Sequence, residues 1–93
     1  MKESNVARYL QRRIKASNGL IYKIVFEGQA DCPDYIIFMK GRTVLVETKA
    51  PRQTPRPSQI YLFSLIAAHA SRVEVVCDYN EVDELVDRLT KEE

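Results

Sequence analysis

Residues 32–49 read CPDYIIFMKGRTVLVETK and place two apolar runs on either side of a short link. The runs, residues 35–39 and 43–48, are rich in β-branched and aromatic residues, which favour strands. The link Lys40-Gly41-Arg42 has the length of a hairpin connection. The stretch therefore predicts two antiparallel strands. The second is expected to be central in its sheet, because the run Val44-Leu45-Val46 is apolar on both faces.

Charged residues lie at the ends of these two predicted strands. Asp34 follows Pro33 at the head of the first strand, and Glu47 and Lys49 come at the tail of the second. In a hairpin, Asp34 and Glu47 come close across the ladder, and two like charges so near would repel unless a cation lay between them. Mg²⁺ and Mn²⁺ prefer such carboxylate oxygens. The pattern therefore predicts a divalent-metal site at these strand ends.

Alternation along the second strand assigns the neighbours of Glu47. Glu47 and Lys49 are two residues apart and are expected on the same face, where Lys49 would orient an attacking water or stabilise developing charge. Thr48 is expected to point the other way and to offer its backbone carbonyl as a further oxygen ligand.

The flanking sequence predicts the remaining elements. Apolar residues at helical spacing predict an amphipathic helix over residues 2–18, and residues 20–26 predict a first strand. After the proline-rich loop 50–58, Ser58 is expected to cap a helix that is apolar nearly all round and is therefore packed within the fold. Residues 72–77 predict a last strand, and Asn80 is expected to cap a final amphipathic helix. Disorder is expected only at residues 91–93.

Composition limits the class of protein. Ninety-three residues suit one domain, spanning residues 1–93, and a 45% hydrophobic and 29% charged composition is that of an ordinary soluble globular protein. The net charge of +1 carries no argument for nucleic-acid binding, although basic residues concentrate in the first half. Cys32, Cys77 and His69 fit neither a disulfide framework nor a zinc motif. No apolar run suits a membrane span or a secretory signal. We therefore expect no membrane partner and a cytoplasmic, non-secreted protein, in the host cytoplasm if it is phage-encoded.

Two sets of residues carry a resemblance to a known family. Pro33-Asp34 followed by Glu47-Thr48-Lys49 on the next strand resembles the core of the PD-(D/E)XK nucleases. With Glu3, Lys23, the ETKAP run at 47–51 and the RPSQ run at 56–59, nearly the whole chain is similar to the VRR-NUC family, the virus-type replication and repair nucleases. The resemblance implies an α/β, restriction-endonuclease-like αβββαβ core with a mixed central sheet flanked by helices, plus a C-terminal helix. One departure is Asp31, where the family usually has glycine. It would tighten the loop differently or add a carboxylate near the metal.

The resemblance also implies roles for individual residues. Asp34 and Glu47 would bind Mg²⁺ or Mn²⁺, with the Thr48 carbonyl as a ligand and Glu3 adding one through water. Lys49 would assist the nucleophile and Gln59 would orient the site. The reaction would be hydrolysis of a DNA phosphodiester by metal-activated water. The implied substrate is branched DNA, including four-way (Holliday) junctions, whose paired strands predict a homodimer.

Other residues are candidates for contacts with DNA phosphates. Arg52 and Arg56 on the proline-rich loop suit this role, and Lys23 would either contact DNA or extend its ammonium group to water.

Each role has a structural alternative. The less favoured alternative for Asp34 is a turn aspartate, and that for Glu47 and Lys49 is an exposed ion pair. For Glu3, a favourable charge at a helix start is as good an explanation as a metal ligand. The alternative for the whole chain is a non-catalytic DNA-binding or interaction module on a nuclease fold, which the basic first helix favours.

Overall fold

The computed structural model describes residues 1–91, in which three helices and four strands follow one another in the predicted order. The predicted disorder of residues 91–93 falls mainly on residues 92 and 93, which lie outside the described part. The elements are α1 (Glu3–Ala16), β1 (Leu20–Lys23), β2 (Tyr35–Met39), β3 (Arg42–Thr48), α2 (Pro57–His69), β4 (Glu74–Val76) and α3 (Tyr79–Thr90).

The four strands form one mixed sheet in the order β1-β2-β3-β4. β2 pairs antiparallel with both β1 and β3, whereas β4 pairs parallel to β3. The hairpin between β2 and β3 turns through Lys40 and Gly41, whose φ angles of 51° and 77° are both left-handed. Such a two-residue turn matches the twist of the flanking strands and favours glycine at its second position. The mixed α/β sheet with β3 in its interior confirms the predicted fold class.

The core lies on one face of the sheet, beneath α1 and α3. Helix α1 contributes Val6, Leu10 and Ile14, each fully buried, as the predicted helical spacing requires. These pack with buried residues of β2, β3 and α3, which include Ile37, Val46, Val82, Leu85 and Val86. At the rim, Tyr9 and Arg13 of α1 both bond to Asp83 of α3. The two helices therefore hold the inner face of β3 fixed.

Helix α2 contradicts the prediction that it is packed within the fold. Its buried residues are Gln59 and Phe63, while Ile60, Tyr61 and Leu65 are exposed over 54%, 68% and 42% of their surface. α2 lies on the face of the sheet opposite α1 and α3, because Glu47 bonds to Gln59 whereas its strand neighbour Val46 faces the core. One sheet face can cover only one side of a helix. All-round apolarity was therefore no indication of burial.

The ends of several elements also differ from the predictions. β1 ends at Lys23 rather than Phe26, and β4 covers residues 74–76 rather than 72–77. α2 begins after Arg56 and not at a Ser58 cap. The cap of α3 is Asp78, which accepts from the Glu81 N–H at 2.8 Å, and not Asn80. Both helices start earlier than predicted: Asp78 caps the first turn of α3, and in α2 the Gln59 side chain accepts from the Arg56 N–H. None of the helices within residues 1–91 has the length and apolar character needed to cross a bilayer.

Candidate active site

The β2–β3 hairpin brings Asp34 and Glu47 to the same end of the sheet. The register pairs Tyr35 with Val46, so the next step along the two strands sets Asp34 opposite Glu47. Residues opposite one another in an antiparallel ladder have neighbouring backbones. Asp34 precedes β2 and turns its carboxylate to Thr48, on the side of the sheet opposite Gln59. The pairing of β2 with β3 therefore brings Asp34 and Glu47 to neighbouring positions at the end of the sheet.

Asp34 is held through one of its carboxylate oxygens. Its Oδ2 accepts a hydrogen bond from the Thr48 backbone N–H at 2.9 Å and another from the Thr48 hydroxyl at 2.8 Å. Because Thr48 is almost fully buried on the core side of β3, the donors cannot move far. Sequence reasoning considered only the carbonyl of Thr48 and missed its hydroxyl. The residue type could have indicated this bond, because Thr48 carries a hydroxyl group and lies between Glu47 and Lys49 in the chain.

Glu47 is a buried carboxylate with one bonded and one unbonded oxygen. The side chain of Glu47 is 4% exposed, and Oε2 lies 2.8 Å from Gln59 Nε2 and 3.1 Å from Lys49 Nζ. Oε1 is buried and receives no hydrogen bond from any described residue. Burial raises the pKa of Glu47, as does the nearby Asp34, and the bonds from Gln59 and Lys49 only partly offset the rise. A buried oxygen without a donor is unfavourable unless a cation completes its surroundings.

The carboxylate pair therefore fits a divalent cation. Oε1 of Glu47 is the oxygen that such an ion would use, and both hydrogen bonds to Asp34 fall on Oδ2. Hard oxygen donors of this kind suit Mg²⁺ or Mn²⁺, and each carboxylate is already oriented by bonds to its other oxygen. Thr48 directly follows Glu47 in the chain, and its backbone carbonyl would be the third protein oxygen.

An open cleft of about 350 Å³ adjoins Asp34 on the α1 side. Its lining includes Glu3, Lys23, Asp34 and Thr48, together with Arg8, Gln11 and Tyr35. The structure thus brings Glu3 and Lys23 to Asp34, whereas Glu47, Lys49 and Gln59 group together beneath α2. The hydrogen bonds between Asp34 and Thr48 connect the two groups.

The two candidate arginines of the proline-rich loop lie in different surroundings. Arg52 is exposed and has a left-handed φ of 69°. Arg56 directs Nη2 to Asp31 Oδ1 at 2.6 Å. Asp31 itself has a φ of 70°, so the position favours the glycine that the family usually carries there. The Asp31 carboxylate, which a glycine would lack, binds Arg56.

A second cluster of potential ligand atoms lies at the start of α3. Ligand atoms of Cys77, Asp78 and Glu81 fall within 4.8 Å of one another. Their hydrogen bonds are those of a helix cap: Asp78 accepts from the Glu81 N–H, and Glu81 Oε1 accepts from the N–H and the thiol of Cys77. The bond to Glu81 raises the pKa of Cys77 to about 11, which keeps the thiol protonated at neutral pH. The helix cap accounts for this arrangement without an ion.

Comparison with known proteins assigns the class. No family model matches the chain. A solved structure described as a VRR_NUC domain superposes with a TM-score of 0.85 at 29% sequence identity, covering 94% of this chain and 96% of that one. The fold is therefore that of the VRR-NUC family of PD-(D/E)XK nucleases, and the resemblance seen in the sequence is confirmed.

A curated relative agrees with this class. The chain is 25% identical over 87 residues to "Putative nuclease p44" of Acyrthosiphon pisum secondary endosymbiont phage 1, and the match covers 92% of each chain. Fold and relative together support a nuclease function. A nuclease of this fold implies DNA as the substrate and suggests a divalent metal.

Proposed function

We propose that the chain is a Mg²⁺- or Mn²⁺-dependent DNA endonuclease that acts as a homodimer on branched DNA such as four-way junctions. The observation that carries the metal dependence is Glu47 Oε1, a buried carboxylate oxygen without a donor among residues 1–91, on the strand opposite Asp34. The choice of branched DNA rests on the resemblance to the VRR-NUC family.

The side chains around the carboxylates divide the chemistry between them. A divalent ion held by Asp34 and Glu47 would lower the pKa of water and neutralise charge on the phosphate. Lys49 lies 3.1 Å from Glu47 Oε2. An ammonium group has three N–H donors, so two remain to orient the attacking water and to bond the phosphate oxygens. Gln59 holds Glu47 in place.

Contacts with the rest of the DNA fall to the basic residues around the site. Lys23 lines the same cleft as Asp34 and is exposed, as is Arg8 across from it. Such cations bind phosphates independently of base sequence. Glu3 lines the same cleft, which supports a contact with the metal site through water. Arg52 lies on the exposed loop before α2.

The test uses labelled linear, flapped and four-way DNA, each with Mn²⁺ and with a chelator. We expect metal-dependent cutting that is fastest on the four-way substrate, and no cutting by Glu47→Gln. Glu84→Gln, an exposed glutamate of α3, is the matched control and should cut normally. Absence of cutting on every substrate would overturn the proposal. Salt-sensitive binding without turnover would then favour the non-catalytic DNA-binding module.

Helix α2 supports the homodimer. Its outer side presents Ile60, Tyr61 and Leu65, and residues 57–68 contain no charged side chain. An uncharged apolar face of this kind is self-complementary, because two copies related by a two-fold axis need no opposite charges to match. Two sites joined in this way would act on the paired strands of a junction.

Light scattering tests this part of the proposal separately. Leu65→Lys places a charge on the outer side of α2. Glu84→Lys places one on the exposed side of α3 and is the control. We expect a dimer for the wild type and the control and a monomer for Leu65→Lys, with unchanged circular dichroism. A wild-type monomer, with or without junction DNA, would refute the dimer and leave the metal site unaffected.

A further inference from the structure

Asp31 and Arg56 join two segments that are 25 residues apart in the chain. The ion pair between Asp31 Oδ1 and Arg56 Nη2, at 2.6 Å, links the loop that carries Asp34 to the residue that precedes α2. Arg56 lowers the pKa of Asp31, so the carboxylate is charged at neutral pH. Asp31 makes this contact from a left-handed backbone conformation that a glycine would adopt more easily. A non-glycine residue in this position calls for a role of its side chain.

Arg56 leads directly to Gln59. The backbone N–H of Arg56 donates to Gln59 Oε1 at 3.0 Å, and Gln59 Nε2 donates to Glu47 Oε2 at 2.8 Å. An amide has one acceptor end and one donor end. Since Oε1 is held by an N–H, the end that meets Glu47 must be the donor. The backbone N–H of Arg56 therefore ensures that Gln59 turns its NH₂ group, and not its carbonyl oxygen, to Glu47.

Few other contacts hold the start of α2. Its residues turned into the protein are Gln59 and Phe63, one helical turn apart, and the remainder of the helix is exposed or half-buried. The first turn thus depends on the bond of Gln59 to Glu47 and on Asp31, whose carboxylate binds Arg56 and also accepts a hydrogen bond from Ser58. Loss of either contact would let this turn move relative to the sheet.

We propose that Asp31 is a positioning residue that acts through Arg56: the ion pair fixes the first turn of α2, which keeps Gln59 on Oε2 of Glu47 and leaves Oε1 to the metal. The part of this inference that concerns metal binding rests on the proposed function. It also assigns Asp31 a part other than that of a metal ligand, because its carboxylate is bound to Arg56.

Two substitutions at Asp31 separate positioning from folding. Asp31→Asn removes the charge and keeps a residue that tolerates a left-handed φ, and Asp31→Gly removes the charge and the backbone conflict together. We expect both to bind Mn²⁺ about three- to tenfold more weakly by calorimetry, less than the 10–100-fold typical of groups bonded directly to a ligand. Asp31→Gly should unfold at the same temperature or a higher one. Asp87→Asn, an exposed aspartate of α3, is the control.

A double-mutant cycle tests the route through Arg56. Arg56→Ala alone should weaken Mn²⁺ binding by the same factor as Asp31→Asn, and the double variant should bind no worse than either. Arg56→Lys should restore part of the affinity. Fully additive effects, or Asp31 variants that bind Mn²⁺ as the wild type does, would overturn the inference.

A measurement on the metal-free protein keeps the two proposals distinguishable. The side-chain NH₂ protons of Gln59 should exchange with water several-fold faster in Asp31→Asn than in the wild type, because their bond to Glu47 opens more often. Unchanged exchange would overturn the positioning role. A wild type that shows this protection but binds no Mn²⁺ would overturn the proposed function instead.

Discussion

Gln59 Nε2 and Glu47 Oε2 lie 2.8 Å apart beneath the first turn of α2, and both residues are almost completely buried. Lys49 bonds to the same oxygen, so all the protein donors to this carboxylate gather on one of its two atoms. The carboxylate is therefore oriented before any ligand arrives. Its free atom is the one available to a cation.

Replacement of Glu47 by glutamine should separate stability from function. Glu47→Gln keeps the shape of the side chain but removes a charge whose burial raises the pKa of the group. We expect Mn²⁺ binding and cutting to be lost, while the free energy of unfolding of the metal-free protein at pH 7 stays equal or rises, because a buried charge is removed. Calorimetry and urea unfolding measure the two quantities. A strongly destabilised variant would show that the carboxylate is structural.

The pH dependence of stability should carry the sign of the raised pKa of Glu47. In the unfolded chain this group titrates near its ordinary value of 4.5, and in the folded protein it titrates higher. Between these two pKa values the folded state binds more protons, so its stability falls as the pH rises. The stability of wild type relative to Glu47→Gln should therefore decrease with pH across that interval and stay constant below it. Urea unfolding at a series of pH values measures the difference, and an opposite slope would contradict the buried charge.

Metal binding should depend on pH in the opposite direction. Protons compete with Mn²⁺ for Glu47, and because the pKa of this group is raised, the competition begins at a higher pH than for an ordinary glutamate. We expect the affinity for Mn²⁺ to rise with pH through the same interval, as measured by calorimetry in several buffers. An affinity that is constant across that interval would argue that Glu47 is not a ligand.

The hydroxyl of Thr48 should matter to the metal site. Thr48→Val removes the donor at 2.8 Å from Asp34 Oδ2 and keeps the backbone donor and the side-chain shape. We expect Mn²⁺ affinity to fall about tenfold and the free energy of unfolding to fall by about 1–2 kcal/mol. Thr48→Ser keeps the hydroxyl and should bind Mn²⁺ nearly as tightly as the wild type. Equal Mn²⁺ binding by the valine and serine variants would show that the hydroxyl does not contribute to metal binding.

Lys23 should contribute to DNA binding through charge alone. It is exposed and lines the cleft beside Asp34, whereas Lys15 is an equally exposed lysine of α1 outside that lining. Lys23→Ala should weaken binding to every DNA substrate and lower the slope of log affinity against log salt by about 1. Lys15→Ala is the control. A change in preference among substrates, at an unchanged salt slope, would indicate a role other than phosphate contact.

Local patterns predicted those parts of the structure that local physics decides. The hairpin followed from apolar runs flanking Gly41, and α1 from the spacing of Val6, Leu10 and Ile14. The approach of Lys49 to Glu47 followed from alternation along β3. The cap of α3 was misplaced because Asp78 and Asn80 are both good cap residues and the sequence does not rank them.

Long-range contacts could not be predicted in the same way. Nothing local marks Asp31 as the partner of Arg56, since the pairing exists only once the loop and α2 lie together. The exposure of Tyr61 and Leu65 depends on how many sides of α2 are covered. The hydroxyl bond from Thr48 depends on the approach of Asp34 across the ladder. Each of these three contacts or exposures depends on how the helices and strands pack together. The helices and strands themselves were predicted correctly.

The exposure of one side of α2 has a consequence for how such proteins diversify. Gln59 and Phe63 occupy the inner side, so substitutions at Ile60, Tyr61 or Leu65 need not disturb Glu47. Selection can then alter what the helix associates with while the residues of the candidate active site stay constant. If the proposed homodimer forms through this side, a descendant fused to another domain could cover the side with its own sequence and act as a monomer. The helix thus lets quaternary structure evolve independently of chemistry.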